Sequence, residues 1–249
     1  MKTNKEKIGY YLLAIIGLIS IIIVLIIPPI EQDISYHNFS DKIDMNGISN
    51  FWNVLSNLPF LIVGIYGILN LNRFEKIKTQ ISVFFIGVTL VALGSGYYHY
   101  SPDNNTLIWD RLPMTIAFTA LMSIVISEFI NLKKGKQLLI PLIILGIISI
   151  MYWIYFNDLR LYVLIQFYPM IAIPIVLILF KQNISETIAY WCLLASYILA
   201  KLFENYDYEI HNTLKIISGH SLKHIMASIG ILLFIIYYKD KTITNNGYN

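Results

Sequence analysis

Five polar side chains stand out in an otherwise apolar chain: Ser95, His99, Asp110, His220 and His224. His220-Ser-Leu-Lys-His224 places two imidazoles at i and i+4, one turn apart on one helix face, where a single metal ion can bridge them. Ser95 and His99 repeat that spacing near the end of another apolar segment, and Asp110 opens the next one. Three neutral imidazoles with one position left open are the pattern of a catalytic zinc, which lowers the pKa of a bound water to about 7. Asp110 is then the candidate to accept the water's proton and return it to a leaving group. Ser95 is the candidate to hold an oxyanion or to orient a ligand of the metal. The plain alternative is that the histidines cap helices or hydrogen-bond within the bundle. Three at one depth, two of them in His-x-x-x-His, favour the metal.

The elements that must position these residues are membrane spans. The 249 residues are 57% hydrophobic and 13% charged, the profile of an all-α, polytopic membrane helix bundle. The single Cys192 excludes a disulfide within one chain and a thiolate zinc site. A span needs roughly 20 apolar residues, and eight stretches qualify, at about 8–30, 49–70, 80–100, 109–131, 138–156, 160–180, 186–203 and 217–238. The first has the lysines of a signal peptide but too long an apolar run, and Pro28-Pro29-Ile-Glu31 is no small-residue cleavage site. It is read as a retained helix. The expected organisation is an N-terminal helix and outer loop over 1–48, a seven-helix core over 49–238 and a polar tail over 239–249.

Lys and Arg set the orientation. One side would carry Lys2, Lys5, Lys7, Arg73, Lys76, Lys78, Lys133, Lys134, Lys136, Lys181, Lys239 and Lys241. The other would carry Lys42, Arg111, Arg160, Lys201, Lys215 and Lys223. That excess puts both termini in the cytoplasm. His99, Asp110, His220 and His224 then share the extracytoplasmic leaflet, within about two turns of its interface. Ionisable groups are expensive in a membrane, so their shared depth reads as function.

Weaker signals surround this set. Asn50, Asn53, Ser56 and Asn57 form a polar stripe that suits either interhelical hydrogen bonding or a pocket. Glu204 and Asp207 suit either a cation or amine site or a solvated loop. Lys223 is expected to turn off the ligand face and to snorkel or meet a headgroup. His37 and His211 lack helical pairing with the set and are left out of the metal shell.

With these residues in hand, the chain resembles the alkaline ceramidases, within the seven-helix membrane hydrolases that also include the adiponectin receptors. Four blocks carry the resemblance: Phe51-Trp52-Asn53 with Ser56-Asn57, Gly94-Ser95-Gly96-Tyr97-Tyr98-His99, Trp109-Asp110-Arg111-Leu112-Pro113-Met114, and Gly219-His220-Ser221-Leu222-Lys223-His224. The resemblance implies Zn2+ on His99, His220 and His224, with Asp110 and Ser95 as catalytic and supporting residues. The reaction it implies is hydrolysis of the amide that joins a fatty acid to a sphingoid base. The chain departs from the pattern in its additional N-terminal span. Asn50 stands where the family's animal enzymes close a calcium site with glutamate, and the upstream Asp41 and Asp44 do not align, which leaves calcium doubtful. Arg111 stands where the family has an acid. The high Ile, Lys and Asn content suits a microbial membrane, and another N-acylated lipid with a long acyl chain becomes an expected substrate. Two other readings stay open: an acyl-ester hydrolase using the same metal, and a receptor-like or transport protein whose zinc is structural.

Overall fold

The computed structural model describes residues 3–180 and 184–238. The expected tail over 239–249 lies outside them, as do Lys2, Lys181, Lys239 and Lys241 of the charge count. Among the described residues the chain is all-helical, with one isolated bridge between Met45 and Ile48 and no strand.

Helix α1 (Asn4–Ile26) starts at a capping box in which Thr3 and Glu6 exchange hydrogen bonds. It stops before Pro28-Pro29, which cannot continue a helix. A strap then runs over 27–50 with one short 3-10 turn, Ile34–His37. The next span is broken into α2 (Phe51–Leu55) and α3 (Leu58–Leu69). Pro59 has no N–H for the Leu55 carbonyl, so the helix opens at Ser56-Asn57 and restarts with the proline in its first turn. Helices α4 (Lys78–Tyr100), α5 (Asn104–Val125), α6 (Leu132–Phe156) and α7 (Arg160–Leu179) follow, α5 ending in a π-helical turn at Ile126–Ile130. The chain closes with α8 (Ile188–Asn205), the short α9 (Asp207–Leu214) and α10 (Gly219–Tyr237).

Among the described residues, seven helical stretches are long and apolar enough to cross a membrane. They are α1, α2 with α3, α4 with the 3-10 turn before it, α5 with its π turn, α6, α7 and α10. The stretch expected over 186–203 folds as α8, whose 18 residues carry Lys201 and Glu204 in the last turns. It is not among those seven, and it packs along α10. The exposed helix α9 was not expected from the sequence, which has no apolar periodicity there.

Helix α4 lies between α3 and α5, while α10 joins α8 to α3. The main core fills the space among these helices, with Phe74, Ile81, Phe85, Ile124, Val176, Leu177 and Phe234 almost fully buried. A second cluster of Phe39, Tyr98, Leu107, Ile150, Trp153, Leu159 and Tyr162 lies under the strap. Helix α1 packs on α7 outside the rest, with Gly9 against Phe180. Its exit is held by Arg160, whose Nη1 donates to the Val24 and Ile27 carbonyls at 3.0 and 2.6 Å, and by Asp158, which accepts from the Ile30 N–H at 3.2 Å. The outer faces stay apolar, with Leu25, Leu69, Ile140 and Ile178 exposed. Apolar side chains on the outside of a fully hydrogen-bonded bundle suit a lipid environment.

Candidate active site

His99 ends α4, and His220 and His224 begin α10. The helices bring the three together at one end of the bundle. Their ring centroids lie 4.8, 4.9 and 5.1 Å apart, and all three are buried. One nitrogen from each lies within 4.8 Å of the others, so the group could hold a metal ion. Two nitrogens at 2.0–2.1 Å from one ion stand about 3.4 Å apart in a tetrahedron, so the rings need close by little more than an ångström. His37 and His211 stay apart from this group, as expected. His37 bridges Tyr98 and Asn104 instead, at 2.9 Å to each.

The protonation of the rings suits a ligand role. The Ser56 hydroxyl spends its one proton on the Asn53 carbonyl at 3.0 Å, so it accepts from His224 Nδ1–H at 2.8 Å. That leaves His224 Nε2 with a free lone pair. His220 Nε2 lies 2.9 Å from the Lys223 ammonium, which occupies its lone pair, so Lys223 has to give way before that nitrogen can hold an ion. His99 Nδ1 is buried with no hydrogen-bond partner. A buried nitrogen left unsatisfied is costly, and a cation among the rings offers what this site lacks. The donor set of three neutral imidazoles therefore fits zinc.

Local sequence explains why the elements meet so closely. Pro113 cannot donate to the Trp109 carbonyl one turn earlier. Gly94 packs on that carbonyl: a Cβ at position 94 would lie 1.8 Å from the oxygen. The backbones of α4 and α5 thus touch one residue away from Ser95 and Asp110 and bring both side chains to the cavity. On the other side of the site a Cβ at Gly219 would lie 2.1 Å from the Phe203 carbonyl. Only glycine lets α10 start against the end of α8.

Sequence reasoning missed several supporting residues. Asp41 is fully buried and accepts from the Trp52, Asn53 and Ile43 N–H groups at 3.0, 3.1 and 3.0 Å. It caps α2 from the strap, because Asn50 makes no side-chain cap of its own. Asp44, the other acid weighed for calcium, accepts from the Ser49 hydroxyl at 3.3 Å. Asp207 caps α10 by accepting from the His220 N–H at 2.7 Å, and also accepts from the Ser40 N–H at 3.1 Å. Phe39 then lies over the triad, its ring 4.7 Å from that of His99 and 4.9 Å from that of His220. The links from Ser40 to Asp207 and from Phe39 to the triad join segments far apart in the chain, and no local pattern marks them.

The polar stripe of α2 turns out to be interhelical glue with one direct contact to the triad. Asn50 donates to the His99 carbonyl at 2.9 Å, Asn53 accepts from the Ser218 and Ser221 hydroxyls at 3.2 and 2.7 Å, and Ser56 holds His224. The expectation for Lys223 is corrected. It does not snorkel to a headgroup but bends inward to Glu204 at 2.8 Å and to His220. At i+3 from His220 it remains a neighbour on the helix surface, and its flexible stem covers the difference. Glu204 also pairs with Lys201 at 2.5 Å.

A cavity of about 330 Å³ opens beside the triad. Ser95, Asp110, Arg111, Lys201, Glu204, Lys223 and His224 line its polar end, and Val88, Met114, Leu121, Phe167, Leu194 and Ile231 line the rest. Its volume falls at the lower end of the ~300–1,000 Å³ of ligand pockets.

A family model described as Ceramidase matches residues 43–249 of this chain. The chain belongs to the ceramidase family. All four motif blocks fall inside the matched region, and α1 precedes it. The resemblance drawn from those blocks is thereby borne out. A ceramidase is a hydrolase of an amide bond in a membrane lipid, and the apolar helices make this one a multi-pass membrane protein. Searches of curated proteins and of solved structures find no match to the chain.

Proposed function

We propose that this ceramidase-family chain hydrolyses the N-acyl bond of a ceramide-like lipid and depends on zinc held by His99, His220 and His224. The observation that carries the reading is the convergence of three buried imidazoles with Asp110 and Ser95 at the polar end of an apolar cavity. Zinc supplies Lewis acidity there, lowering the pKa of a water to about 7 and polarising the amide carbonyl.

The chain's own residues do the rest. Asp110 takes a proton from the attacking water and delivers it to the departing nitrogen, so that the C–N bond breaks to a fatty acid and an amine. The Ser95 hydroxyl, beside Asp110 on the cavity, donates to the oxygen that gains charge. Ser56 fixes the His224 tautomer. The apolar wall accepts the acyl chain, which reaches it laterally from lipid without crossing water. In this reading residues 49–238 form the hydrolase core, and the site faces the extracytoplasmic side with both termini in the cytoplasm. A cavity that reaches Asp110 and His224 supports an enzyme over a receptor-like protein with structural zinc. The family supports an amide over an ester.

The test is mass spectrometry of N-acyl lipids incubated with the purified protein, together with metal analysis. Fatty acid and free amine should appear in parallel, and a chelator should stop both. Full turnover in protein stripped of metal would overturn the zinc role, and release from esters alone would overturn the amidase.

A further inference from the structure

The polar end of the cavity holds three cations, and two of them, Lys201 and Lys223, pair with Glu204. Arg111 lines the cavity and is only 6% exposed. Its guanidinium carbon lies 4.7 Å from the ring centre of Trp153, 4.9 Å from that of Tyr162 and 5.5 Å from that of Tyr36. Aromatic faces stabilise the planar ion but accept none of its in-plane N–H donors well. Nη1 is buried without a hydrogen-bond partner. Among the described residues no carboxylate lies within ion-pair distance of the group, whereas Lys201 and Lys223 share Glu204. Asp110, the remaining acid on the cavity and the next residue in the chain, also lies outside ion-pair distance of it. Three cations therefore face two acids, and the unmatched charge is a fork-shaped donor next to the scissile site. A buried cation without an anion is expensive, and its rigid fork matches an oxyanion in shape.

We propose that Arg111 is a specificity-determining residue that receives an oxyanion on the lipid head. The preferred substrate is then an N-acyl lipid whose head carries a carboxylate or a sulfonate, not a neutral hydroxymethyl group. The inference rests on the amidase reading only for turnover; recognition of the anionic head stands apart from it.

Three matched amides separate the possibilities: N-palmitoylglycine with a carboxylate, N-palmitoyltaurine with a sulfonate, and neutral N-palmitoylethanolamine. Binding to the purified protein in a neutral detergent and kcat/KM are measured for each. An anionic amide should bind about tenfold or more tighter than the neutral one, as a charge-assisted pair allows. Whichever acid binds tighter identifies the head. Arg111→Gln should erase the difference, and Arg111→Lys should restore part of it. Wild-type protein that binds all three equally would overturn the inference and reduce Arg111 to a clasp for three aromatic rings. That comparison needs no variant, so it decides the matter even where Arg111→Gln fails to fold. Selective binding with no hydrolysis of the three amides, or of a ceramide assayed beside them, would leave the recognition standing and overturn the amidase reading instead.

Discussion

Asp110 and Ser56 illustrate how differently two polar residues serve one site. Asp110 lies on the cavity beside Ser95, and its proposed role is to move a proton. Asp110→Asn keeps the size and the hydrogen-bonding shape but cannot take that proton. Activity should fall by about 10²–10⁴-fold while zinc content stays at the wild-type level. An unchanged rate removes Asp110 from the mechanism. Ser56 touches no substrate. Its hydroxyl holds His224 Nδ1 and so decides which nitrogen that ring presents. Ser56→Ala frees the ring and leaves its N–H unpaired. Metal affinity should drop about 10–100-fold, with little change in kcat once the metal is restored in excess. Titration with a competing chelator reads the first effect, and a kcat that stays low at saturating metal contradicts the assignment.

Two element-scale contacts are equally open to test. Helices α4 and α5 approach through Gly94, whose Cβ would lie 1.8 Å from the Trp109 oxygen, while a Cβ at Gly96 would meet nothing within 4 Å. Gly94→Ala should force the helices apart, cost on the order of 1–3 kcal/mol or more, and separate Ser95 from Asp110. Gly96→Ala should be neutral or slightly stabilising. Equal melting temperatures for the two variants in detergent would dismiss the close approach as a determinant of the site. The clasp on α1 has a pH signature. Burial works against ionisation of Asp158, but the Arg160 side chain and the N–H groups of Arg160 and Ile30 outweigh it and hold its carboxyl down at about 2. A depressed carboxyl contributes stability above its unfolded pKa of about 4 and loses it as pH falls through the folded value. Asp158→Asn should therefore be less stable than wild type at neutral pH, and the gap should close between about pH 4 and pH 2. A gap that is constant across that window assigns the effect to packing alone.

At the scale of the whole molecule, the proposal is an amide hydrolase whose site is reached from lipid at one face of the membrane. In the proposed orientation, which rests on the Lys and Arg excess, that face is the outside. In a Cys192→Ser background, Tyr208→Cys on the exposed α9 should react with an impermeant maleimide added to intact cells. Lys134→Cys, at the opposite end of the bundle, should react only after the membrane is opened. The reverse pattern would invert the molecule without touching its chemistry.

The sequence by itself determined the helical class, seven of the eight expected spans, and the residues able to bind a metal. Each of these depends on local properties: apolar length, the i, i+4 spacing of His220 and His224, and the types of side chain a lipid interior excludes. It also carried the four blocks that mark the family. The tertiary structure decided what surrounds those residues. Ser56 reaches His224, Asp207 caps the helix that bears two of the histidines, and Asp41 caps α2 from a separate loop. Lys223 turns inward because Glu204 of a neighbouring helix awaits it. Arg111, which by sequence alone was a departure from a pattern, proves to be a buried guanidinium among three rings at the cavity. These are pairings between distant segments, and no periodicity within one helix specifies which face of another it will meet.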